Sequence, residues 1–293
     1  MVTKNYRFAD VAFTLQMQYP YLEKQCRSYE VEEPGILIAA SDEEIEREDQ
    51  SGVSSSNGML ESLAVYRKIS EIMVEHDTFL FHCSAVALDG QAYLFTAPSG
   101  TGKSTHTRLW REVFGERAVM VNDDKPLIQV REDAIYVCGT PWNGKHNLDS
   151  NQKVPVKGIC ILERGTVNNI ETISAADAFP YLFRQVYRPA DQTKLIRTIT
   201  LLKQAFSFFS LNSTHDHTGT AIILPCLHDF FVFLACDLFC RIVCHTGKIV
   251  FLCCQKQAFH GNLFRLWLRF PLFKDRTDQL DEIFGCKNFW SDR

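Results

Sequence analysis

The chain has 293 residues, 46% of them hydrophobic and 23% charged, with a formal net charge of −4. That length and balance exclude a small stapled scaffold, a disordered chain and a generally basic nucleic-acid binder, and they allow a large buried core. The averages conceal a break after Gln204: the first 204 residues carry 22 basic and 27 acidic residues, whereas the last 89 carry 9 and 8, with 7 of the 11 cysteines and 14 of the 22 phenylalanines.

In chain order, residues 6–16 mix aromatic and branched residues with polar ones, and residues 35–40 form a short apolar run; both read as strands. The acids Asp42, Glu43, Glu44, Glu46, Glu48 and Asp49 follow, read as a solvated turn or helix end in preference to a partner surface. A Ser/Gly segment at 51–58 reads as a loop or lid. Across 59–76, Val65, Ile69, Ile72 and Met73 recur at helical spacing opposite Glu61, Lys68, Glu71 and Glu75, which predicts an amphipathic helix. Short apolar runs then succeed one another at 79–81, 84–88, 91–96, 118–121, 127–130, 134–137 and 158–162, with Asp89-Gly90 as a tight hairpin signal. Helical patterns return at 176–187 and 191–204. This is the pattern of a β-rich α/β core.

The run at 92–96 leads into Ala97-Pro98-Ser99-Gly100-Thr101-Gly102-Lys103-Ser104-Thr105, and a helical stretch follows at 107–114. These nine residues read as a phosphate-binding loop whose first glycine is replaced by Ala97. Gly100 and Gly102 let successive N–H groups turn inward toward phosphate oxygens, and the helix that follows presents its positive end there. Lys103 would reach the β- and γ-phosphates of ATP, and the Ser104 hydroxyl would ligate Mg²⁺.

Two further pieces flank the loop. His82-Cys83-Ser84-Ala85 begins 21 residues before Lys103, and Asn122-Asp123-Asp124-Lys125 puts Asp123 20 residues after it. An Asp pair at the end of an apolar strand is ordinarily a turn, and a lone histidine ordinarily a satisfied core residue. Beside a phosphate loop, one carboxylate has a use on a metal and the other as the base toward an attacking hydroxyl.

Together, His-Cys-Ser-Ala, Ser-Gly-Thr-Gly-Lys-Ser and the strand ending in Asp-Asp resemble the nucleotide-binding core shared by HPr kinase/phosphorylase and ATP-dependent phosphoenolpyruvate carboxykinase. The likeness covers residues 79–189 best and 1–204 more loosely. It implies an α/β fold with a P-loop core of that type, a mixed β-sheet and flanking helices. It also implies Mg-ATP-dependent transfer of the γ-phosphoryl group to a serine or other hydroxyl of a small protein or peptide. Asp123 would be the base, Asp124 with Ser104 would hold the metal, Lys103 would bind phosphate, and His82 would sit against the Asp and the γ-phosphate. The carboxykinase branch needs a longer chain with a dicarboxylate-binding domain, so oxaloacetate decarboxylation is not expected. The segment 138–146, ending in Lys145 and His146, stands where a substrate-facing loop is expected; those two side chains would either meet a phosphate or be plain exposed loop residues. The rival readings are a nucleotide-binding regulatory protein without transfer and a reversible kinase/phosphorylase. Related kinases form hexamers, so a homo-oligomer is implied.

The expected organisation is a β-rich segment at 1–58, the ATP-binding core at 59–204 and an atypical Phe/Cys-rich tail at 205–293. Three readings of the tail compete: an extra domain, a membrane-associated tail, or sequence read in a shifted frame beyond an ancestral end. The last is favoured because composition and resemblance stop together. A spanning helix is not expected, since the best candidate, 221–244, is broken by Pro225, His228, Asp229, Asp237 and Arg241. The irregular cysteine spacing and the absence of a secretory pattern at Met1 argue for reduced, buried thiols in the cytoplasm, with no metal assigned to Cys236, Cys240 and Cys244.

Overall fold

The computed structural model describes residues 1–49, 55–163, 169–211 and 248–253. Strands β1 (Val2–Phe8) and β2 (Val11–Met17) pair antiparallel, joined at Ala9 and Asp10, whose φ angles are +45° and +70°. The single strand expected over 6–16 is therefore a hairpin. Alternation runs unbroken through both arms, and an alanine in the left-handed region gives no turn signal. Helix α1 (Pro20–Gln25) and strand β3 (Glu30–Val31) follow, then β4 (Ile36–Ala39), to give a four-stranded sheet in the order β3-β1-β2-β4.

The acidic run forms helix α2 (Asp42–Arg47). Ser41 and Glu44 make a reciprocal capping box, and three acids fall in the first turn, where the helix dipole favours them. Glu44 and Glu48 pair with Lys68 and Arg67 of helix α3 (Asn57–Met73), so the run is spent on docking one helix to another. Helix α3 buries Leu60, Val65, Ile69 and Met73 against Tyr6, Phe8, Phe13 and Leu15 of the small sheet. Glu61, expected on its polar face, is fully buried instead. Its carboxylate accepts from the backbone N–H groups of Gln18 (2.5 Å) and Tyr19 (3.1 Å), satisfying both the charge and the end of β2.

The larger sheet begins with β5 (Thr78–Leu80), β6 (Ser84–Leu88) and β7 (Gln91–Thr96). The β6–β7 hairpin turns at Asp89-Gly90, both at positive φ, as the dipeptide predicts. Helix α4 (Lys103–Phe114) and strands β8 (Ala118–Asn122), β9 (Leu127–Val130), β10 (Ile135–Cys138) and β11 (Lys153–Leu162) follow. The spatial order is β5-β9-β10-β11-β7-β6-β8, with β7 parallel to β11 and the other neighbours antiparallel. Strand β12 (Asn169–Thr172), helix α5 (Ala175–Phe183) and helix α6 (Gln192–Leu211) come next; α5 and α6 place Ala178, Leu182, Leu201 and Leu202 on the apolar core of this sheet.

The fold is thus mixed α/β, with a mixed sheet and flanking helices. The helix expected to end at Gln204 continues to Leu211, and β13 (Lys248–Cys253) lies antiparallel on β11 and parallel on β12. The rest of the tail, with Cys236, Cys240 and Cys244, lies outside the described residues. Cys26, Cys83, Cys138 and Cys160 are buried, and no described helix is long and apolar enough to cross a membrane.

Candidate functional site

Sheet order explains why the three separated motifs meet. Strands β7 and β8 both lie antiparallel to β6, so they are parallel to each other and their C-terminal ends fall at the same edge of the sheet. The glycine-rich loop leaves β7 at that edge, the Asp pair leaves β8 there, and Ser84, the first residue of β6, stands between them. Ligand sites in open α/β sheets form at such C-terminal strand ends.

The loop turns at Gly100 and Gly102, with φ of +76° and +118°, angles that a residue with a Cβ adopts only under strain. Gly102 is the N-cap of α4, so Lys103 and Ser104 open the helix and the N–H groups of its first turn point toward the loop. The Lys103 ammonium lies back along the loop, 2.9 Å from the carbonyl oxygen of Ala97 and 3.5 Å from that of Pro98. Burial pulls its pKa below the ordinary lysine value, and the nearby charges of Asp124 and Asp123 oppose that shift. The sequence placed the helix start at residue 107; the end of the loop is itself the first helical turn.

The two carboxylates have different surroundings. Asp123 is buried, and its Oδ1 accepts a 2.6 Å hydrogen bond from the Ser84 hydroxyl, which lies 2.8 Å from Thr107 Oγ1 on α4. A polar bridge, Asp123–Ser84–Thr107, therefore ties the end of β8 to the helix that carries Lys103. Asp124 is more open: His82 Nε2 is 3.3 Å from its Oδ1 and Lys125 Nζ 3.7 Å from its Oδ2. Burial works against its charge, yet the bond to His82 and the charges of Lys125 and Lys103 outweigh that and hold its pKa below the usual carboxylate value. The histidine thus meets the second Asp of the pair and leaves the first to Ser84. On its other side, His82 Nδ1 lies 2.8 Å from Gln185 Oε1, and its backbone N–H donates to the Gln185 carbonyl.

Asn122, fully buried ahead of the pair, fixes the backbone at Asp124 and Lys125. Its Oδ1 accepts from the N–H groups of Asp124 (2.8 Å) and Lys125 (2.7 Å), and its Nδ2 donates to the Thr140 carbonyl (2.8 Å). Sequence reading gave Ser84, Thr107, Asn122 and Gln185 no role. The first and third stand inside the motifs quoted, but nothing local tells which oxygen they face, and Gln185 reaches the site only through a bridge between Phe81 and Val186.

The donor set fits a magnesium ion of the kind bound together with nucleotide phosphates. Such an ion takes one or two protein oxygens and completes its shell with phosphates and water. Ser104 on the first turn of α4 and the ionised Asp124 are oxygen donors of that type, and among the described residues no group of three or more His, Cys, Asp or Glu forms a dedicated cage. No family model matches this chain, and no curated protein matches it.

Proposed function

We propose that the chain is a Mg-ATP-dependent phosphotransferase of the HPr-kinase-like type, acting on a hydroxyl, most simply serine, of a small protein or peptide. The observation that carries the proposal is the juxtaposition of a glycine-turned loop opening a helix at Lys103 with two carboxylates across one intervening strand, Asp123 being linked to that helix through Ser84 and Thr107. The loop N–H groups, the helix end and Lys103 suit the phosphates of ATP. Ser104 and Asp124 would hold the magnesium ion, which when bound offsets charge on the phosphate oxygens. Asp124 suits that role because it is kept ionised.

Asp123 is then the base. Its Oδ1 is oriented by the Ser84 hydroxyl, and the carboxylate takes the proton as the acceptor O–H bond breaks, while the new O–P bond forms and the bridging O–P bond of ATP opens to release ADP. His82, bonded to Asp124 and held by Gln185, fixes the metal carboxylate in place. The resemblance to the HPr kinase and carboxykinase core supports the reading, because the same three motifs fall at one sheet edge. The test is transfer from labelled ATP, with Mg²⁺, to serine-containing candidate proteins. Asp123→Asn is expected to lower transfer by at least about a hundredfold, the usual scale for a lost general base, while nucleotide binding persists. Full transfer by that variant overturns the assigned base; nucleotide binding without transfer by the unaltered protein favours a regulatory role.

A further inference from the structure

We propose that the turn Gly144–His146 is the acceptor subsite of this enzyme, with Lys145 and His146 gripping a carboxylate side chain that flanks the accepting hydroxyl on an acidic protein segment. The inference rests on the reading of Asp123 and Asp124 given above. The sheet places the turn on the acceptor side: β6 separates the phosphate loop from β8, and the returning segment pairs with the far edge of β8 through the bridge between Asn122 and Asp149. The Asp pair therefore stands between the phosphates and the turn, which is where a hydroxyl in line with the bond to ADP has to enter.

The turn is built to hold a position. Asn122 Nδ2 anchors its leading arm on Thr140, and Asp123 N–H donates to the Leu148 carbonyl at 3.0 Å to anchor the return. Trp142 stacks on Tyr66 with ring centroids 3.8 Å apart and donates its indole N–H to Ser62. Gln25 Nε2 donates to the Pro141 carbonyl, and Asp149 is held by Tyr29 and Asn143. Gln25, Tyr29, Ser62 and Tyr66 thus buttress this arm from behind.

At the tip, Gly144 has a φ of +69°, and a Cβ there would lie 3.1 Å from Asp124 Cβ, so the backbone of the turn rests directly on the metal carboxylate. Lys145 and His146 follow, both exposed, and among the described residues neither side chain has a hydrogen bond or ion pair. Across the site, exposed Arg184, also without an ion pair among the described residues, precedes the Gln185 that holds His82. In a chain of net charge −4, the unpaired Lys145 ammonium at this tip, with the His146 ring beside it as a further hydrogen-bond donor, forms a local positive rim. That rim complements an acidic segment.

The experiment uses the full chain, Mg²⁺ and a non-hydrolysable ATP analogue at low salt. Two labelled serine peptides of equal length, one flanked by Glu and one by Gln, are titrated by fluorescence anisotropy. The acidic peptide is expected to bind about tenfold tighter or better, the scale of one charge-assisted contact, and Lys145→Glu is expected to abolish that preference. Analogue affinity is measured in the same samples. Equal binding of the two peptides, no binding of either, or a preference untouched by Lys145→Glu overturns the proposal. Equal weakening of peptide and analogue by Lys145→Glu also overturns it, because the turn would then serve the nucleotide. Analogue binding that fails in the unaltered protein refutes the phosphate loop instead, and the peptide comparison is then read without nucleotide.

Discussion

His106, one turn into α4, packs its ring on Phe95 (centroids 4.3 Å apart) and near Trp110, is fully buried, and among the described residues has no hydrogen-bond partner at either ring nitrogen. Burial drives its pKa down to about 3, so the imidazole is neutral in the fold and titrates near 6.5 once the chain unfolds. The unfolded chain therefore binds one more proton than the folded one between those values. Stability from this group is complete above about pH 6.5 and falls as the pH drops, by about 1.4 kcal/mol per unit until the folded pKa is reached. Between pH 7 and pH 5 the loss amounts to about 2 kcal/mol. Phenylalanine keeps the aromatic packing and removes both the proton site and the orphaned nitrogens. Urea unfolding of the unaltered protein and of His106→Phe, followed by tryptophan fluorescence and circular dichroism at both pH values, reads the difference directly. Any repacking strain from the larger ring is common to both pH values and cancels. The two proteins should separate by about 2 kcal/mol more at pH 5 than at pH 7; parallel loss of stability in both would refute the reasoning.

Asn122→Ala removes the partner of two backbone N–H groups and the donor to Thr140 from a fully buried position. A loss of about 3 kcal/mol in chemical denaturation is expected, with unmade buried hydrogen bonds at about 1–3 kcal/mol each and not additive. Gly144→Ala forces a Cβ toward Asp124 at a φ of +69°; it should destabilise the fold by about 1 kcal/mol and weaken the magnesium dependence of nucleotide binding, read by titration with and without the metal. Asp124 has a folded pKa below its unfolded value, so its contribution is present above the unfolded pKa and is lost as pH falls through the folded one. Asp124→Asn should flatten that part of the acid-unfolding curve and abolish the metal dependence of nucleotide binding, both measurable on one sample.

Much of the core was legible because its signals are local. Asp89-Gly90 names its own hairpin, the apolar runs from β5 to β10 are short and bounded, and the loop around Gly100 and Gly102 carries its positive-φ glycines in plain view. Other features depend on partners distant in sequence. Pro155 and the flanking Lys153 and Lys157 hide the first half of β11, which is a strand because β10 and β7 pair with it. Glu61 reads as a solvent-facing helix residue until the end of β2 supplies two N–H donors. Lys103–Thr105 read as loop because a phosphate loop and a helix N-terminus share the same residues. In the site, residue types announced the Asp pair and the lysine. Which carboxylate meets His82 and which meets Ser84 is set by strand order and register, and periodicity carries no record of these.

The central claim is that the loop from Ala97 to Thr105 binds the phosphates of ATP through Lys103. Calorimetric titration of ATP into the full chain, with and without Mg²⁺, and into Lys103→Ala tests it most directly. The account predicts saturable binding strengthened by Mg²⁺ and weakened at least about tenfold by the substitution, the scale of a lost charge-assisted phosphate contact. No binding by the unaltered protein, or equal binding by Lys103→Ala, would contradict it.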